Sequence, residues 1–369
     1  MTETSTLLEL IQSQLDDFCE QQRASFAGIS DDLSPILDYT QSLLSGGKRF
    51  RAQFAYWAWS GCLAASGQTP DQQRTSAEAI VGITAALEMF HAAALVHDDL
   101  MDQSDTRRGQ MAVHRKFEQL HQTAGWAGNP ERFGQSGAIL VGDLMLGWAS
   151  ELFGQAIMGA PNRQVELACR DEFNKMRIEV MAGQYLDVVE ENAGPTRPSS
   201  EAVGRANRVM LYKTAKYSIE APLLIGASFG GASETTLHGL SNFAIPLGLA
   251  FQLKDDILGV FGDSSKTGKP VGDDLREGKR TVLIGLTRES LSPSVARIFD
   301  ELLSARDLTL EQINFLQQTI RGSGALSKTE RMLEELADES LTSLAALDLA
   351  EPAKSALGAL ARKVIERES

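Results

Sequence analysis

Residues 89–109 read Met89-Phe-His-Ala-Ala-Ala-Leu-Val-His-Asp-Asp-Leu-Met-Asp-Gln-Ser-Asp-Thr-Arg-Arg-Gly109. An apolar run at helical spacing ends at Val96, and a dense acidic patch follows at once. On a helix Asp98 and Asp102 stand one above the other, with Asp105 a further turn along. Such like charges repel, and at a helix C-terminus the macrodipole disfavours them further, so a cation must offset the cost if this face is buried. Oxygen ligands so clustered suit Mg2+, which takes one or two carboxylates and completes its octahedron with water and phosphate oxygens. Arg107 and Arg108 would meet the diphosphate oxygens that metals leave free. A solvated acidic helix end is the plainer alternative; the apolar approach and the arginine pair argue against it.

The same periodicity runs through nearly the whole chain, beginning with Leu7, Leu8, Ile11, Leu15 and Phe18. Helical stretches are expected at about 32–44, 48–66, 71–101, 109–120, 135–158, 161–190, 199–211, 213–229, 233–261, 281–303, 309–321, 323–347 and 350–367, with no strand run. Breaks fall at Gly46-Gly47, Gly67 to Pro70, Gly125 to Pro130, Gly194-Pro195, Gly230-Gly231 and the long connection Gly262 to Gly278. No repeat or low-complexity linker divides the chain, so residues 1–369 read as one all-α domain, a helical bundle.

The chain has 369 residues, 43% of them hydrophobic, which is ample for a sizeable core. Its net charge of −14 excludes a general nucleic-acid binder, which needs a basic surplus against the phosphate backbone. Cys19, Cys62 and Cys169 lack the spacing of a zinc site or disulfide framework, which fits a reducing, cytoplasmic setting. The N-terminus is polar and acidic, and no stretch approaches the roughly 18 uncharged apolar residues of a membrane span.

A second acidic pair, in Phe251-Gln-Leu-Lys-Asp-Asp-Ile-Leu-Gly259, again closes an apolar helical run. Asp255 and Asp256 thus mirror the first cluster, and two acidic helix ends facing across a cavity could hold metal ions with a polyphosphate between them. Downstream, Lys266, Lys269, Arg276, Lys279 and Arg280 concentrate positive charge in an otherwise acidic protein, as an anion clamp requires. A third set, Gly46-Gly-Lys-Arg-Phe-Arg51, puts glycines and Lys48, Arg49 and Arg51 at a helix start, a fitting pocket for a diphosphate without metal. It is not a Walker loop, since no strand precedes it and its spacing differs.

Taken in order, Gly46-Gly-Lys-Arg-x-Arg51, Asp98-Asp-x-x-Asp102 with Arg107-Arg-Gly109, Gly183-Gln-Tyr-Leu-Asp187, Lys213-Thr214 and Gln252-x-x-Asp-Asp256 resemble the trans-polyprenyl diphosphate synthases over about residues 40–285. The resemblance implies an isoprenoid-synthase-type bundle around a central deep cavity, usually a homodimer. It implies Mg2+-dependent joining of isopentenyl diphosphate head-to-tail onto an allylic diphosphate. By the same resemblance Lys48, Arg51, His91 and Arg108 hold the diphosphate of isopentenyl diphosphate, while Asp98, Asp102 and Asp255 ligate Mg2+ with Asp99 and Asp256 beside them. Arg107, Lys213, Lys269 and Lys279 contact the allylic diphosphate, and Thr214 and Gln252 lie near the developing cation. Gln184 and Asp187 belong at or beside the metal site. His91, two turns before Asp98, would otherwise be an ordinary core histidine. One departure stands out: the family's second aspartate motif usually ends in a third aspartate, where this chain has Gly259, and the resemblance therefore does not fix the geometry of the third metal.

Product length has a ruler in the same helix, because a turn rises about 5.4 Å, close to one isoprene unit. Ala94 and Ala93, four and five residues before Asp98, are too small to stop a growing chain; Phe90 and Met89 are the first bulky residues. In farnesyl diphosphate synthases of the family it resembles, aromatics or an insertion there usually end growth at three units; this chain has neither, which makes a four-unit product, geranylgeranyl diphosphate, the expectation. Residues of facing helices, such as Ile139 to Trp148, could move that floor toward farnesyl or longer products. A terpene cyclase has no second diphosphate to hold, which the Gly-Gly-Lys-Arg-x-Arg pocket speaks against. A non-catalytic partner subunit would have lost more of its metal motifs.

Overall fold

The computed structural model describes residues 3–63, 67, 69–262, 271–305 and 307–366. Its first half consists of α1 (Glu3–Ala27), α2 (Ser34–Leu44), α3 (Phe50–Leu63), α4 (Pro70–Met101), α5 (Val113–Thr123), α6 (Pro130–Ala156) and α7 (Arg163–Ala193). The second half comprises α8 (Ala202–Val209), α9 (Ala221–Phe229), α10 (Glu234–Phe261), α11 (Asp273–Glu277), α12 (Val282–Ser290), α13 (Pro293–Leu303), α14 (Leu310–Gly322), α15 (Ala325–Ala346) and α16 (Glu351–Ile365).

Helix α4 is the axis of the bundle. Thr69 and Gln72 cap its start reciprocally and Pro70 occupies the first turn, a combination that satisfies orphan N–H groups and fixes the entry angle. From Ile80 to Val96 almost every side chain is buried, because α1, α3, α6 and α9 pack around it. This helix and the run Pro130–Gly159 are long and apolar enough to cross a membrane by length and composition, contrary to the sequence expectation. In α4, 78% of that apolar window is buried inside the protein, as in any core helix; for the second run only 44% is.

Helix α4 ends at Met101, with Asp102 as its C-cap. A small hairpin follows where helix was expected from 109: Thr106–Arg107 (β1) pairs antiparallel with Gln110–Met111 (β2), and α5 starts only at Val113. The two-residue turn needs positive φ twice, supplied by Arg108 (φ 53°) and Gly109 (φ 72°). A non-glycine residue in that conformation stores strain, which is found preferentially at functional sites.

The stretches expected at 199–211 and 213–229 form one rod instead. Between α8 and α9 the backbone stays helical but widens to a π-helix over Met210–Glu220, a distortion that recurs at functional sites. The rod is wedged between α7 and α10: a Cβ on Gly183 would collide with the backbone of Lys213, and one on Gly248 with Ala215. Glycine at both positions therefore permits the close approach. The expected 281–303 helix divides at Leu291-Ser292, where Pro293 opens α13. The three cysteines are free and buried, and burial pushes the Cys62 and Cys169 thiols up to about 12.

Candidate active site

The C-terminal ends of α4 and α10 and the π-helical rod between them open onto one cavity of about 400 Å3. Asp98 lines it from α4, Asp255 and Asp256 from α10, Lys213 and Thr214 from the rod, and Lys279 from the segment after α11. Both acidic clusters thus share one space, as their parallel contexts predicted. Asp105 does not continue the acidic face, because the helix has ended; it is exposed and pairs with Arg115 at 2.6 Å.

The carboxylates are already engaged by the site's own cations. Lys213 Nζ lies 3.1 Å from Asp98 Oδ1 and 2.5 Å from Asp187 Oδ2. Lys279 Nζ lies 3.0 Å from Asp102 Oδ2 and 2.8 Å from Glu277. Arg107, aimed inward by the hairpin, donates from Nε to Asp99 at 2.7 Å and approaches Asp98 at 3.4 Å. Gln184 donates to Asp98 at 3.2 Å. Burial works against the Asp98 charge, yet Lys213, Lys279 and Arg107 hold its carboxyl below the usual range. Asp102 is pushed up by burial and by Asp98, against Lys279. Burial likewise opposes the Lys213 and Lys279 charges, but their acidic partners keep both ammonium groups protonated.

On the opposite wall Thr214 Oγ1 donates to Gln252 Oε1 at 2.6 Å, and Gln252 Nε2 donates to Asp256 Oδ1 at 2.8 Å. Burial pushes the Asp256 carboxyl well up, and its Oδ2 is buried without a hydrogen-bond partner among the described residues. An unsatisfied buried carboxylate oxygen in a wall of hard oxygen donors fits a divalent cation such as Mg2+. Among the described residues no three acidic, histidine or cysteine side chains converge on one point; Lys213 bridges Asp98 and Asp187 instead. The space that a third aspartate would fill at Gly259 is taken by the carboxylate of Asp274, with which a Cβ at 259 would collide.

A second, smaller constellation lies at the start of α3. Arg51 Nη2 donates to Ser218 at 2.7 Å, and the guanidinium lies 4.5 Å from the centre of the Tyr217 ring. Tyr217 OH meets His91 Nδ1 at 3.0 Å, and burial together with Arg51 and Arg108 keeps His91 neutral. Arg108 reaches the Gly47 backbone, so close that a Cβ there would touch its guanidinium. Arg49 turns away into the protein, in a left-handed conformation (φ 46°), and donates to Leu44 O, the end of α2, and to Gln12. Its role is to cap a helix. Lys48 is exposed and sits beside Arg362 and Lys363 of α16, outside the main cavity. Lys269 lies outside the described residues.

Met89, Phe90 and Ala93 are fully buried and Ala94 partly so, and none of them lines the cavity. Phe90 packs edge-on against Tyr217 and Phe173, and Phe173 stacks on Phe153 at 4.1 Å. Tyr217 and Glu277 escaped the sequence reading. Tyr217 stands one turn after Lys213 on the same rod, a spacing that could have revealed it; nothing in the sequence pairs Glu277 with Asp102 through a lysine.

An all-α bundle with two aspartate clusters and a ring of cations around one cavity defines an enzyme of diphosphate chemistry. The chain belongs to the polyprenyl synthetase family, whose sequence profile matches residues 33–320. It is 32% identical over 286 residues to a geranylgeranyl diphosphate synthase of Sulfolobus acidocaldarius, covering 77% of this chain and 76% of that one. A short chain isoprenyl diphosphate synthase of Methanothermobacter thermautotrophicus is 28% identical, with 98% and 99% covered. The structure superposes with a TM-score of 0.90 on a geranylgeranyl pyrophosphate synthase of Corynebacterium glutamicum, crystallised with isoprenyl diphosphate and magnesium; identity is 34% and coverage 99% and 100%.

Proposed function

We propose that the protein condenses isopentenyl diphosphate head-to-tail with allylic diphosphates to give mainly geranylgeranyl diphosphate, with Asp98, Asp102 and Asp255 as ligands of Mg2+. The observation that carries this reading is one cavity with two differently lined parts: carboxylates and lysines around Asp98, Asp255 and Lys213, and a part where Arg108 and His91 reach the same space with Arg51 and Tyr217 behind them.

Mg2+ held by these aspartates would neutralise charge growing on the departing pyrophosphate. Lys213, Arg107 and Lys279, paired with carboxylates in the resting site, are placed to turn toward the same leaving group; such preorganised charge is usually the largest catalytic contribution. Thr214 and Gln252 fix each other and present oxygen dipoles to the allylic carbon as it becomes cationic. Leu95, Met210 and Leu258 give the cavity an apolar lining, which keeps water from the cation. Arg51, Arg108 and His91 hold the second diphosphate, so that the isopentenyl double bond faces that carbon. The proton lost on forming the new double bond passes to the released pyrophosphate.

We also place a second copy of the chain against α6 and α7, where Ile139, Leu140, Ile178, Met181 and Tyr185 are exposed, and the protein in the cytoplasm. The enzymatic reading is tested by incubating purified protein with Mg2+, isopentenyl diphosphate and farnesyl diphosphate and resolving the product by chain length. A twenty-carbon product dependent on both substrates is expected; an inert protein, or one that consumes the allylic substrate alone, overturns it.

A further inference from the structure

Glu88 is a buried carboxylate that the reaction outlined above does not use. It lies on α4, one turn before His91 and on the side facing the start of α3, and is only 9% exposed. Its Oε1 accepts the backbone N–H of Ala52 at 3.2 Å. Ala52 is in the first turn of α3, where N–H groups have no partner within the helix. Arg51 precedes it, and the Gly46-Gly47 turn leads into it.

A bland explanation would stop at that helix anchor. The charges around Glu88 go further. Burial is the largest influence and leaves the Glu88 carboxyl raised, while Arg51, Arg49, the Ala52 N–H and Arg108, in that order, favour its charged form. In turn, Glu88 is the leading acidic influence on both Arg49 and Arg108, whose guanidinium groups burial disfavours. The three guanidinium groups come from two segments, the α3 start and the hairpin turn, and Arg49 is already turned away to Leu44 O and Gln12. Two of them, Arg51 and Arg108, form the cradle for a diphosphate. Left alone, like charges in a poorly hydrated corner repel, and the cradle would splay whenever its anion is absent. Glu88 Oε1 is held by the Ala52 N–H, while Arg51 Nη2 donates to Ser218 and Arg51 Nε is buried with no partner among the described residues, so part of the donor capacity of Arg51 is unused.

We propose that Glu88 is a positioning residue for the metal-free diphosphate pocket: it fastens the start of α3 to α4, and its negative charge keeps Arg51 and Arg108 assembled before isopentenyl diphosphate arrives. The inference rests on the assignment of that pocket under Proposed function. Simple electrostatics gives the opposite sign for removing the charge, because a carboxylate beside an anion site should only weaken binding. The sign of the effect therefore decides between assembly and repulsion.

Glu88→Gln keeps an acceptor for Ala52 and removes the charge; Glu88→Ala removes both. For Glu88→Gln, the KM for isopentenyl diphosphate should rise about tenfold, with the allylic KM and the kcat at saturation little changed. Glu88→Ala should raise it further. Titration calorimetry of isopentenyl diphosphate in the presence of EDTA should show the same weakening without any metal. An unchanged or lower KM in Glu88→Gln overturns the charge role, and equal rises for both substrates reduce the effect to general loss of structure and overturn it too. If the wild-type protein binds no isopentenyl diphosphate in EDTA, the pocket assignment itself fails and takes this inference with it; wild-type binding with an unaltered Glu88→Gln variant sinks the inference alone.

Discussion

The ammonium of Lys213 lies 3.1 Å from Oδ1 of Asp98, so the carboxylate assigned to metal is neutralised by the protein before any metal arrives. Mutual repulsion of the aspartates alone predicts that Asp98→Ala leaves the metal-free fold intact or slightly stabilised. The ion pairs reverse that expectation. Removing Asp98 strips Lys213 and Arg107 of a partner in a buried site, which should cost about 1–3 kcal/mol in urea unfolding without metal. Turnover of Asp98→Ala or Asp102→Ala should fall roughly a thousandfold or more at saturating Mg2+. Near-normal turnover would remove the metal assignment, and undiminished stability the internal neutralisation.

Arg51 and Lys48 should separate in their effects, although the sequence motif treats them alike. Arg51 is locked between Ser218 and the Tyr217 ring beside His91, whereas Lys48 is exposed near α16. Arg51→Ala should raise the KM for isopentenyl diphosphate by about a factor of ten to a hundred, and Lys48→Ala by less, with the allylic KM little affected in either. Steady-state kinetics with each substrate varied in turn will tell. A rise confined to the allylic substrate would reverse the assignment of the two diphosphate sites.

For product length, Ala93→Phe should shift the main product toward farnesyl diphosphate and Phe90→Ala should lengthen it beyond twenty carbons. Each carries a structural cost. Ala93 is wholly buried, so the larger ring should overpack by about 1–3 kcal/mol, and Phe90 would give up its contacts with Tyr217 and Phe173. Chromatography of the dephosphorylated products reads the outcome. Unchanged distributions in both folded variants would show that α4 is not the ruler.

Stability should depend on pH through Glu191. Burial first, then Asp187 and Asp102, push its carboxyl up to about 7. In the unfolded chain it titrates near roughly 4.3, so between these values the folded protein holds a proton that the unfolded chain has released. The metal-free protein should therefore lose stability as pH rises from about 4.3 to about 7, and Glu191→Gln should flatten this part of the profile. Thermal unfolding across that range, with an identical slope in the variant, would assign the dependence elsewhere.

The proposed second copy against α6 and α7 predicts a dimer. Ile178→Glu combined with Tyr185→Glu places two charges on that face, at positions 70% and 69% exposed in the single chain. Sedimentation should then show a monomer where the wild type is a dimer, with the helical content retained. A wild-type monomer, or a variant that still dimerises, refutes this interface.

Much of this molecule was legible in the chain itself. Helical periodicity is a local property of side chains a turn apart, which is why nearly all the helices, their Gly and Pro breaks and the all-α class could be read directly. Asp98 and Asp102 were legible for the same reason, because a spacing of four sets one helix face; Lys213-Thr214 was singled out only by its place in the motif order of the family that the chain resembles. Partnership between distant segments was not. The sequence shows Lys213 and Lys279 as cations for a ligand, but only packing makes them counter-ions of Asp98 and Asp102. It shows Arg49 and Arg51 as twins, but Arg49, with a left-handed backbone, caps α2, whereas Arg51 lies against Ser218 and the Tyr217 ring. The hairpin that aims Arg107, the widened turn that carries Lys213, and the carboxylate of Asp274 seated over Gly259 likewise depend on contacts between segments far apart in the chain. Local chemistry thus determined which residues could carry charge and on which helix face. Tertiary structure decided which charges meet, because a buried ionic group adopts whatever partner compensates its desolvation, and that partner is set by packing rather than by neighbours in sequence.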